Sequence, residues 1–297
     1  MISVVLCSYN GENFIAEQID SIFNQTFDDF ELIIIDDCST DKTVEIINKF
    51  CLLNKRISLF INEENLGPRK SFYKGILKSK GDYIALSDQD DIWLPNKLEV
   101  LIQKAESEKD ALLFYSNSQI INENGELINQ FLSDKINPYQ GNDNRSVLFY
   151  NFVWGHTMFF RRELINYVEP IPLNFNHDKW LTFLSLSYGK VIYVNQVLQY
   201  YRHHDKNLTV KYNSKDKLST HPLIKEGLFI EWLEHIVHSG NKKNYEFFYT
   251  LLYNYKKGLI GKIKLFFIFE KYMAVLQYPS KKSYVKKINF LRKIISN

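Results

Sequence analysis

The fold class is decided by the stretch Leu32-Ile33-Ile34-Ile35-Asp36-Asp37, in which four consecutive apolar residues are followed directly by two acids. A continuous apolar run is typical of a strand that is covered on both faces, as in a parallel sheet between helices. An apolar stripe at helical spacing, Ile15, Ile19 and Ile22, precedes it. The sequence therefore predicts an α/β fold with a mainly parallel sheet.

The same alternation runs through the first 116 residues and then breaks. We expect strands at 3–6, 32–35, 57–61, 83–86 and 111–116, and helices over 12–24, 44–51, 70–78 and from Pro95 onward. Asn124-Gly125 predicts a hairpin, and further strands are expected at 157–160, 191–194 and 197–201, with a helix over 179–188. We therefore predict a first domain over 1–212, made of halves 1–116 and 117–212, and a basic helical region over 213–297.

The composition excludes several protein classes. With 45% apolar and 24% charged residues in 297, the chain is that of a folded globular protein. Three cysteines without a C-x-x-C spacing support neither a disulfide framework nor a zinc site, and favour a cytoplasmic location. The longest apolar stretch, Gly258 to Gln277, is interrupted by lysines and a glutamate, so no spanning helix is expected.

Charge is distributed unevenly along the chain. Residues 242–297 hold 13 basic and 2 acidic residues, whereas residues 1–241 hold 24 basic and 32 acidic ones. A basic segment with interleaved aromatic residues is typical of a helix at a membrane surface, here the inner face of the plasma membrane, or of a helical region that packs on the body or on a partner chain. Nucleic-acid binding is disfavoured by the acidic body, and a homodimer is compatible with the sequence.

Acids follow the predicted strand at Tyr83 to Leu86. Asp88, Asp90 and Asp91 lie within four residues, and carboxylates this close repel one another unless a cation or protons lie among them. Carboxylate oxygens suit Mg²⁺ or Mn²⁺, which bind substrate phosphates at the same time. The alternative is a solvated acidic turn at the start of the helix near Pro95.

These segments together resemble the family 2 glycosyltransferases, over about residues 1–210. The resemblance depends on four segments in order: Val4-Val5-Leu6-Cys7-Ser8-Tyr9-Asn10-Gly11, Ile34-Ile35-Asp36-Asp37-Cys38-Ser39-Thr40-Asp41, Asn65-Leu66-Gly67 and Ser87-Asp88-Gln89-Asp90-Asp91-Ile92-Trp93-Leu94-Pro95-Asn96-Lys97-Leu98. It implies a nucleotide-diphospho-sugar transferase fold of the GT-A type. Later segments resemble bacterial rhamnosyltransferases of polysaccharide assembly: Gly155-His156-Thr157-Met158, His177-Asp178-Lys179-Trp180 and Tyr201-Arg202-His203-His204-Asp205-Lys206-Asn207.

The resemblance implies a donor site at the ends of the first strands. Ser8 and Tyr9, with Asp36 or Asp37, would hold the base and ribose. Tyr9 is alternatively a core aromatic, and either acid alternatively serves the following helix N-terminus. Many family members carry Arg a few residues past the Asn-x-Gly, a place held here by Phe72. Lys70 or Arg69 is then the candidate cation for the diphosphate, or both are solvated helix charges.

The metal site is implied by the acidic segment and by a loop near residue 204. Asp90 would be the direct ligand and Asp88 would contact the ribose or the metal shell. His204 is a candidate ligand that would favour Mn²⁺ over Mg²⁺, and Arg202 a candidate phosphate partner. The alternative for residues 202–207 is a solvated loop of mixed charge.

Asp178 is the candidate general base, at the position where the family places it. An ionised aspartate there would take the proton of an acceptor hydroxyl in an inverting transfer, and the alternative is a plain helix N-cap. Candidate acceptor contacts are Trp154, Gly155, His156, His177 and Trp180.

The sequence thus predicts a metal-dependent inverting glycosyltransferase. The predicted donor is dTDP-rhamnose and the predicted acceptor is a growing polysaccharide or a lipid-linked oligosaccharide. A UDP-hexose or UDP-hexosamine donor is the first alternative, and a non-catalytic scaffold that binds sugar nucleotides is the second. A dinucleotide oxidoreductase is disfavoured because no G-x-G-x-x-G follows the first strand.

Overall fold

A computed structural model describes residues 1–169, 172, 175–205, 207 and 228–296. Its strands are β1 (Ile2–Ser8), β2 (Phe30–Asp36), β3 (Ile57–Ile61), β4 (Tyr83–Ser87), β5 (Ile92–Trp93), β6 (Ala111–Ile121), β7 (Leu127–Phe131), β8 (Met158–Arg161) and β9 (Lys190–Arg202). Its α-helices are α1 (Ile15–Phe23), α2 (Thr43–Leu53), α3 (Pro68–Lys78), α4 (Lys97–Ser107), α5 (His177–Tyr188), α6 (Leu228–His238), α7 (Tyr245–Tyr255), α8 (Gly258–Lys271), α9 (Met273–Leu276) and α10 (Tyr284–Ser296).

The strands form one mixed sheet in the order β3-β2-β1-β4-β8-β6-β9-β5, with β7 paired to β6. The first four strands of this order are all parallel, as the alternation of strands and helices predicts. Strand β8 runs antiparallel between β4 and β6, and β6 pairs in parallel with β9. The carboxyl ends of β1, β2 and β4 therefore meet at one edge of the sheet, where ligands bind in open α/β sheets.

Helices cover both faces of the sheet, which explains the apolar runs. Along β1, Val4 packs into the core formed with α1, α2 and α4, whereas Val5 packs into the core formed with α3 and α5. Successive side chains of a strand point to opposite faces, so a strand with two covered faces needs apolar residues at every position. Leu32 and Ile34 pack on the α1 side in the same way.

Several element boundaries differ from the sequence prediction. The strands predicted at 191–194 and 197–201 are one strand, β9, whose pairing with β6 shifts register between Val194 and Val197. The helix predicted to open at Pro95 begins at Lys97, and the Pro95 carbonyl accepts a hydrogen bond from Thr26. The predicted hairpin is confirmed by the pairing of Ile121 with Leu127.

The C-terminal helices share a core with the second half of the sheet. The ring of Phe269 in α8 lies 5.2 Å from that of Phe149, and Phe248 in α7 lies 5.7 Å from Phe183 of α5. The region thus packs aromatic residues on the body, which is one of the two expectations for it. The predicted domain boundary at residues 212 and 213 falls outside the described residues. Among the described helices, none has the length and apolar character needed to cross a bilayer.

We expect Phe269→Ala to lower the free energy of unfolding by about 3–5 kcal/mol, because it leaves a cavity beside Phe149 and Phe229. Phe267→Ala on the same helix is the matched control, since Phe267 is 63% exposed and its loss should change stability by less than about 0.5 kcal/mol. Denaturant unfolding measures both. Equal effects of the two substitutions would contradict this packing.

Candidate functional site

The ends of β1 and β2 are joined by a buried hydrogen-bond network. The Ser8 hydroxyl donates to Asp36 Oδ2 at 2.8 Å, and Ser39 donates to both Asp36 oxygens, through its N–H at 2.8 Å and its hydroxyl at 2.6 Å. Both Ser8 and Asp36 are buried. The two residues therefore fix the backbone after the strands, and their predicted contact with a nucleotide stays a prediction.

Asp37 shapes the loop that contains Asn65-Leu66-Gly67. Its oxygens accept hydrogen bonds from the N–H groups of Leu66 at 2.8 Å and Gly67 at 2.7 Å. They also accept from the side chains of Asn62 at 2.8 Å and Ser71 at 3.0 Å. Four hydrogen bonds to one buried carboxylate hold the loop against the start of α3. Asp37 therefore has a structural role here, and its predicted contact with the base or ribose of a nucleotide stays a prediction.

Tyr9 is not a core aromatic, since it is 46% exposed at the end of β1. Its N–H donates to Gln89 Oε1 at 2.8 Å, and Gln89 Nε2 donates back to the Tyr9 carbonyl at 3.1 Å. A Cβ at Gly11 would lie 2.2 Å from Gln89 Oε1, so a side chain there would displace the Gln89 amide from this bridge. This bridge fixes the Tyr9 backbone beside the acidic segment and leaves the Tyr9 ring exposed, where a nucleobase could stack on it.

Two acids of the segment after β4 and a histidine from residues 155–157 have the spacing of metal ligands. Asp88, Asp91 and His156 each offer an atom, and these atoms lie within 4.8 Å of one another. Burial, together with the charges of Asp90 and Asp178, raises the pKa of Asp88 to about 7. Burial and the neighbouring carboxylates also raise the pKa of Asp91 well above its usual value. A cation would relieve this crowding of like charges.

A buried lysine lies beneath these acids. Lys97 is fully buried, donates from Nζ to the His156 carbonyl at 3.1 Å and to Gln199 Oε1, and lies 3.8 Å from the Trp93 ring centroid. Burial lowers its pKa well below the usual value, while Asp91 and Asp88 oppose that shift. Lys97 therefore offsets part of the negative charge of the segment from the side of the core.

Asp90 contacts the segment that follows β9. Its Oδ2 lies 2.9 Å from His204 Nε2 and 3.4 Å from Asn207 Nδ2. The predicted ligand pair, Asp90 and His204, is thus brought together. The Arg202 guanidinium donates to the Asp90 carbonyl at 2.9 Å, to the Glu123 carbonyl at 2.9 Å and to Glu17. Arg202 is 2% exposed, so it fastens this segment to the body, and its phosphate contact stays a prediction.

Asp178 lies at the start of α5, close enough to the acidic segment for its charge to raise the pKa of Asp88. Its Oδ1 accepts the Lys179 N–H at 2.7 Å. Burial raises the pKa of Asp178 to about 6, against hydrogen bonds that lower it. This carboxylate is therefore ionised at neutral pH but more basic than an ordinary aspartate, which suits a general base.

The two site histidines are held neutral. His177 stacks on Phe72 at 4.4 Å, and burial with the nearby Arg69 lowers its pKa to about 3. His156 stacks on Tyr201 at 4.8 Å, and burial lowers its pKa to about 3 as well. The Nε2 atoms of both rings are buried without a hydrogen-bond partner among the described residues. Each ring thus carries a buried nitrogen whose hydrogen-bonding capacity the described residues do not use.

The remaining predicted acceptor contacts lie in different environments. Trp180 is fully buried and donates to the Val168 carbonyl at 2.8 Å, so its predicted acceptor contact is wrong. The cause is that α5 is buried on nearly all sides. Trp154 is half-buried beside Tyr115. Gly155 lies against His177, since a Cβ there would be 3.1 Å from His177 Nε2.

The candidate phosphate cations of α3 differ in position. Lys70 is exposed, whereas Arg69 is half-buried and its charge acts on His177. Arg69 therefore acts on the residue next to the predicted base.

The comparison with protein families agrees with this geometry. The family model described as Glycosyl transferase family 2 matches residues 3–168, more than half of the chain. The chain belongs to glycosyl transferase family 2. It is an enzyme of the glycosyltransferase class, and the scaffold alternative is therefore set aside. An uncharacterized glycosyltransferase of Methanocaldococcus jannaschii is 30% identical over 266 residues, covering 85% of this chain and 87% of the relative.

Solved structures share the fold of this family 2 member. TarS of Staphylococcus aureus (residues 1–349), solved in complex with UDP-GlcNAc, matches 99% of this chain and 90% of its own, with a TM-score of 0.63 and 17% identity. The mannosyltransferase PcManGT of Pyrobaculum calidifontis, solved with GDP-Man and Mn²⁺, matches 99% and 84%, with a TM-score of 0.55 and 13% identity. The predicted GT-A type fold is confirmed.

Sequence reasoning missed three residues that build the site. Lys97 and Gln89 stand inside the quoted motif, yet neither was given a role, because a lysine and a glutamine are ordinarily solvated. Gln199 lies in β9, donates to Asp91 Oδ2 at 3.3 Å and accepts from Lys97. A polar residue between apolar ones in a strand is the signal that was available for it.

The raised pKa of Asp178 predicts a pH dependence of stability. In the folded state this carboxyl keeps its proton between about pH 4 and pH 6, where it is already ionised in the unfolded chain, so stability falls as pH rises through that range. Asp178→Asn should remove about 3 kcal/mol of this decline, because each unit of pKa shift is worth about 1.4 kcal/mol. Urea unfolding at several pH values measures it.

The control is Asp143→Asn, because hydrogen bonds from Arg145 lower the pKa of Asp143 against the effect of burial. Its loss should change the pH dependence in the opposite sense. A decline in Asp178→Asn as steep as in the unsubstituted enzyme would contradict the assignment.

Proposed function

We propose that this family 2 glycosyltransferase transfers a sugar with inversion from a nucleotide-diphospho-sugar to a hydroxyl of a growing polysaccharide or a lipid-linked oligosaccharide, with dTDP-rhamnose as donor. The observation that carries the proposal is the proximity of Asp178 to the acidic segment, since its charge contributes to the raised pKa of Asp88. The general base and the diphosphate site must be close together, because the acceptor hydroxyl held by the base attacks the sugar that is still attached to the diphosphate.

Asp178 acts as the general base in this proposal. Its carboxylate takes the proton of the acceptor hydroxyl while that oxygen bonds to the anomeric carbon. The bond from that carbon to the donor diphosphate breaks on the opposite face, so the configuration is inverted and the nucleoside diphosphate leaves. His177, neutral and stacked on Phe72, offers its buried Nε2 to the acceptor at the same helix start.

A divalent cation, Mn²⁺ or Mg²⁺, fits the acidic segment. Asp90 and His204 already meet through ligand-type atoms, and Asp88 is the adjacent carboxylate with a raised pKa. Asp91 is the less suitable ligand because its two oxygens accept hydrogen bonds from Gln199 and the Arg202 N–H. When bound, the ion supplies positive charge that stabilises the departing diphosphate. The imidazole of His204 favours Mn²⁺.

Rhamnose is supported by the segments around His156, Asp178 and His204, which resemble those of rhamnosyltransferases. A UDP-hexose or UDP-hexosamine donor is the second candidate. It is favoured by the likeness to TarS, which was solved with UDP-GlcNAc.

We expect Asp178→Asn to lower kcat by about 10²–10⁴-fold while the Kd for the donor stays nearly unchanged. In the unsubstituted enzyme kcat should fall below about pH 6, because the base must be ionised. Initial rates and donor titration measure the two effects. Asp110→Asn, at an exposed ion pair with Lys190, is the matched control and should keep full activity. Near-normal turnover of Asp178→Asn would exclude this mechanism.

Thermal shifts with dTDP and UDP, each with and without Mn²⁺, test the donor and the metal together. Ligand binding raises the Tm by mass action, so dTDP with Mn²⁺ should give the largest shift. Asp90→Ala should abolish the response to the nucleotide and to Mn²⁺. Asp82→Ala, whose side chain is 81% exposed near the N-terminus, is the control. A larger shift with UDP would select the second donor, and shifts independent of Mn²⁺ would exclude the metal site.

A further inference from the structure

Helix α8 is apolar on two opposite sides, and the chain buries one of them. The buried side consists of Gly261, Leu265 and Phe269. The opposite side, which we call the outer face of α8, consists of Leu259, Ile260, Ile263 and Phe267. These four residues are 75%, 71%, 53% and 63% exposed, respectively. A helix that is apolar all round is normally buried all round, so this face has the character of a contact surface.

A row of exposed tyrosines lies along α7, the helix that precedes α8. Tyr245, Tyr249 and Tyr253 follow one another at helical spacing, with ring centroids 5.9 and 6.4 Å apart. Lys257 lies 4.1 Å over the Tyr253 ring, and its hydrogen bond lowers the pKa of Tyr253, with smaller contributions from the charges of Lys257 and Lys264. Lys264 belongs to α8, so Tyr253 lies near that helix.

Lysines border this surface. Lys262, Lys264 and Lys271 lie on α8 and Lys256 and Lys257 immediately before it, whereas Glu270 is the one acid in α8. Residues 242–297 hold 13 basic and 2 acidic residues in all. Apolar residues bordered by lysines and tyrosines are the composition of a helix that lies in the headgroup region of a bilayer.

We propose that the outer face of α8 binds the surface of an anionic lipid bilayer, with Leu259, Ile260, Ile263 and Phe267 inserted among the acyl chains and the lysines at the headgroups. The occupant is identified by charge. A second copy of this region would bring two strongly positive surfaces together and be repelled, whereas anionic lipid attracts it. The proposal is independent of the donor and of the reaction assigned above.

The position of α8 gives this contact a consequence for the enzyme. Phe269, on the buried side of α8, packs against Phe149 at 5.2 Å, and α7 packs against α5 through Phe248 and Phe183. Helix α5 begins with His177 and Asp178. A bilayer bound at the outer face is therefore held in a fixed orientation relative to the proposed base.

Vesicle flotation of the full chain tests the proposal. The unsubstituted protein should float with phosphatidylcholine vesicles that contain phosphatidylglycerol, and should float far less with phosphatidylcholine alone or at high salt. Ile263→Ser/Phe267→Ser should lower the partition coefficient by about tenfold or more. Each of Lys262→Glu and Lys264→Glu should lower it by at least about fivefold.

The matched control is Leu52→Ser/Leu53→Ser, at two leucines of α2 that are 88% and 86% exposed outside this surface. It should float like the unsubstituted protein, and the variants at Ile263, Lys264 and Phe267 and the control pair should keep its Tm because these side chains are exposed. Equal loss in the control pair, or flotation that Ile263→Ser/Phe267→Ser leaves unchanged, would overturn the proposal. So would a dimer in sedimentation that the same double substitution dissolves while vesicles bind neither form.

Discussion

The site depends on the repulsion among three carboxylates that the chain places within four residues at the end of β4. Asp91 is tied to β9 through Gln199 and the Arg202 N–H, and Asp90 meets His204 just beyond that strand. Lys97 offsets part of the negative charge of these acids from the side of the core. Because β9 and the residues just after it hold Asp91 and Asp90 in place, these acids cannot move apart, and the segment keeps a strong affinity for positive charge.

Much of the fold is local information and can be predicted from the sequence. The parallel half of the sheet follows from runs such as Leu32 to Ile35, because burial on both faces leaves no polar position in the strand. The hairpin at Asn124-Gly125 follows from turn chemistry. The site edge follows as well, since parallel strands bring their carboxyl ends together and so place Ser8, Asp36 and Asp88 at one edge.

What escaped prediction depends on tertiary packing. Trp180 follows the predicted base by two residues and is therefore a candidate acceptor contact, yet α5 is enclosed by the body and by α6, so its indole lies in the core. Lys97 is buried because Trp93, Gln199 and the His156 carbonyl converge on its ammonium group from three elements. The outer face of α8 and its buried side are both apolar in sequence. Tertiary contacts such as those of Phe269 show which of the two is buried.

The aromatic core that joins α7 and α8 to the second half of the sheet limits how this enzyme can be recombined with its relatives. Phe149 contacts Phe229, Phe269 and Phe290, which come from three C-terminal helices. These helices and the residues around Phe149 must therefore be exchanged together. A chimera that exchanges the C-terminal helices alone would mismatch that core, whereas a crossover placed after α4 would carry both partners together.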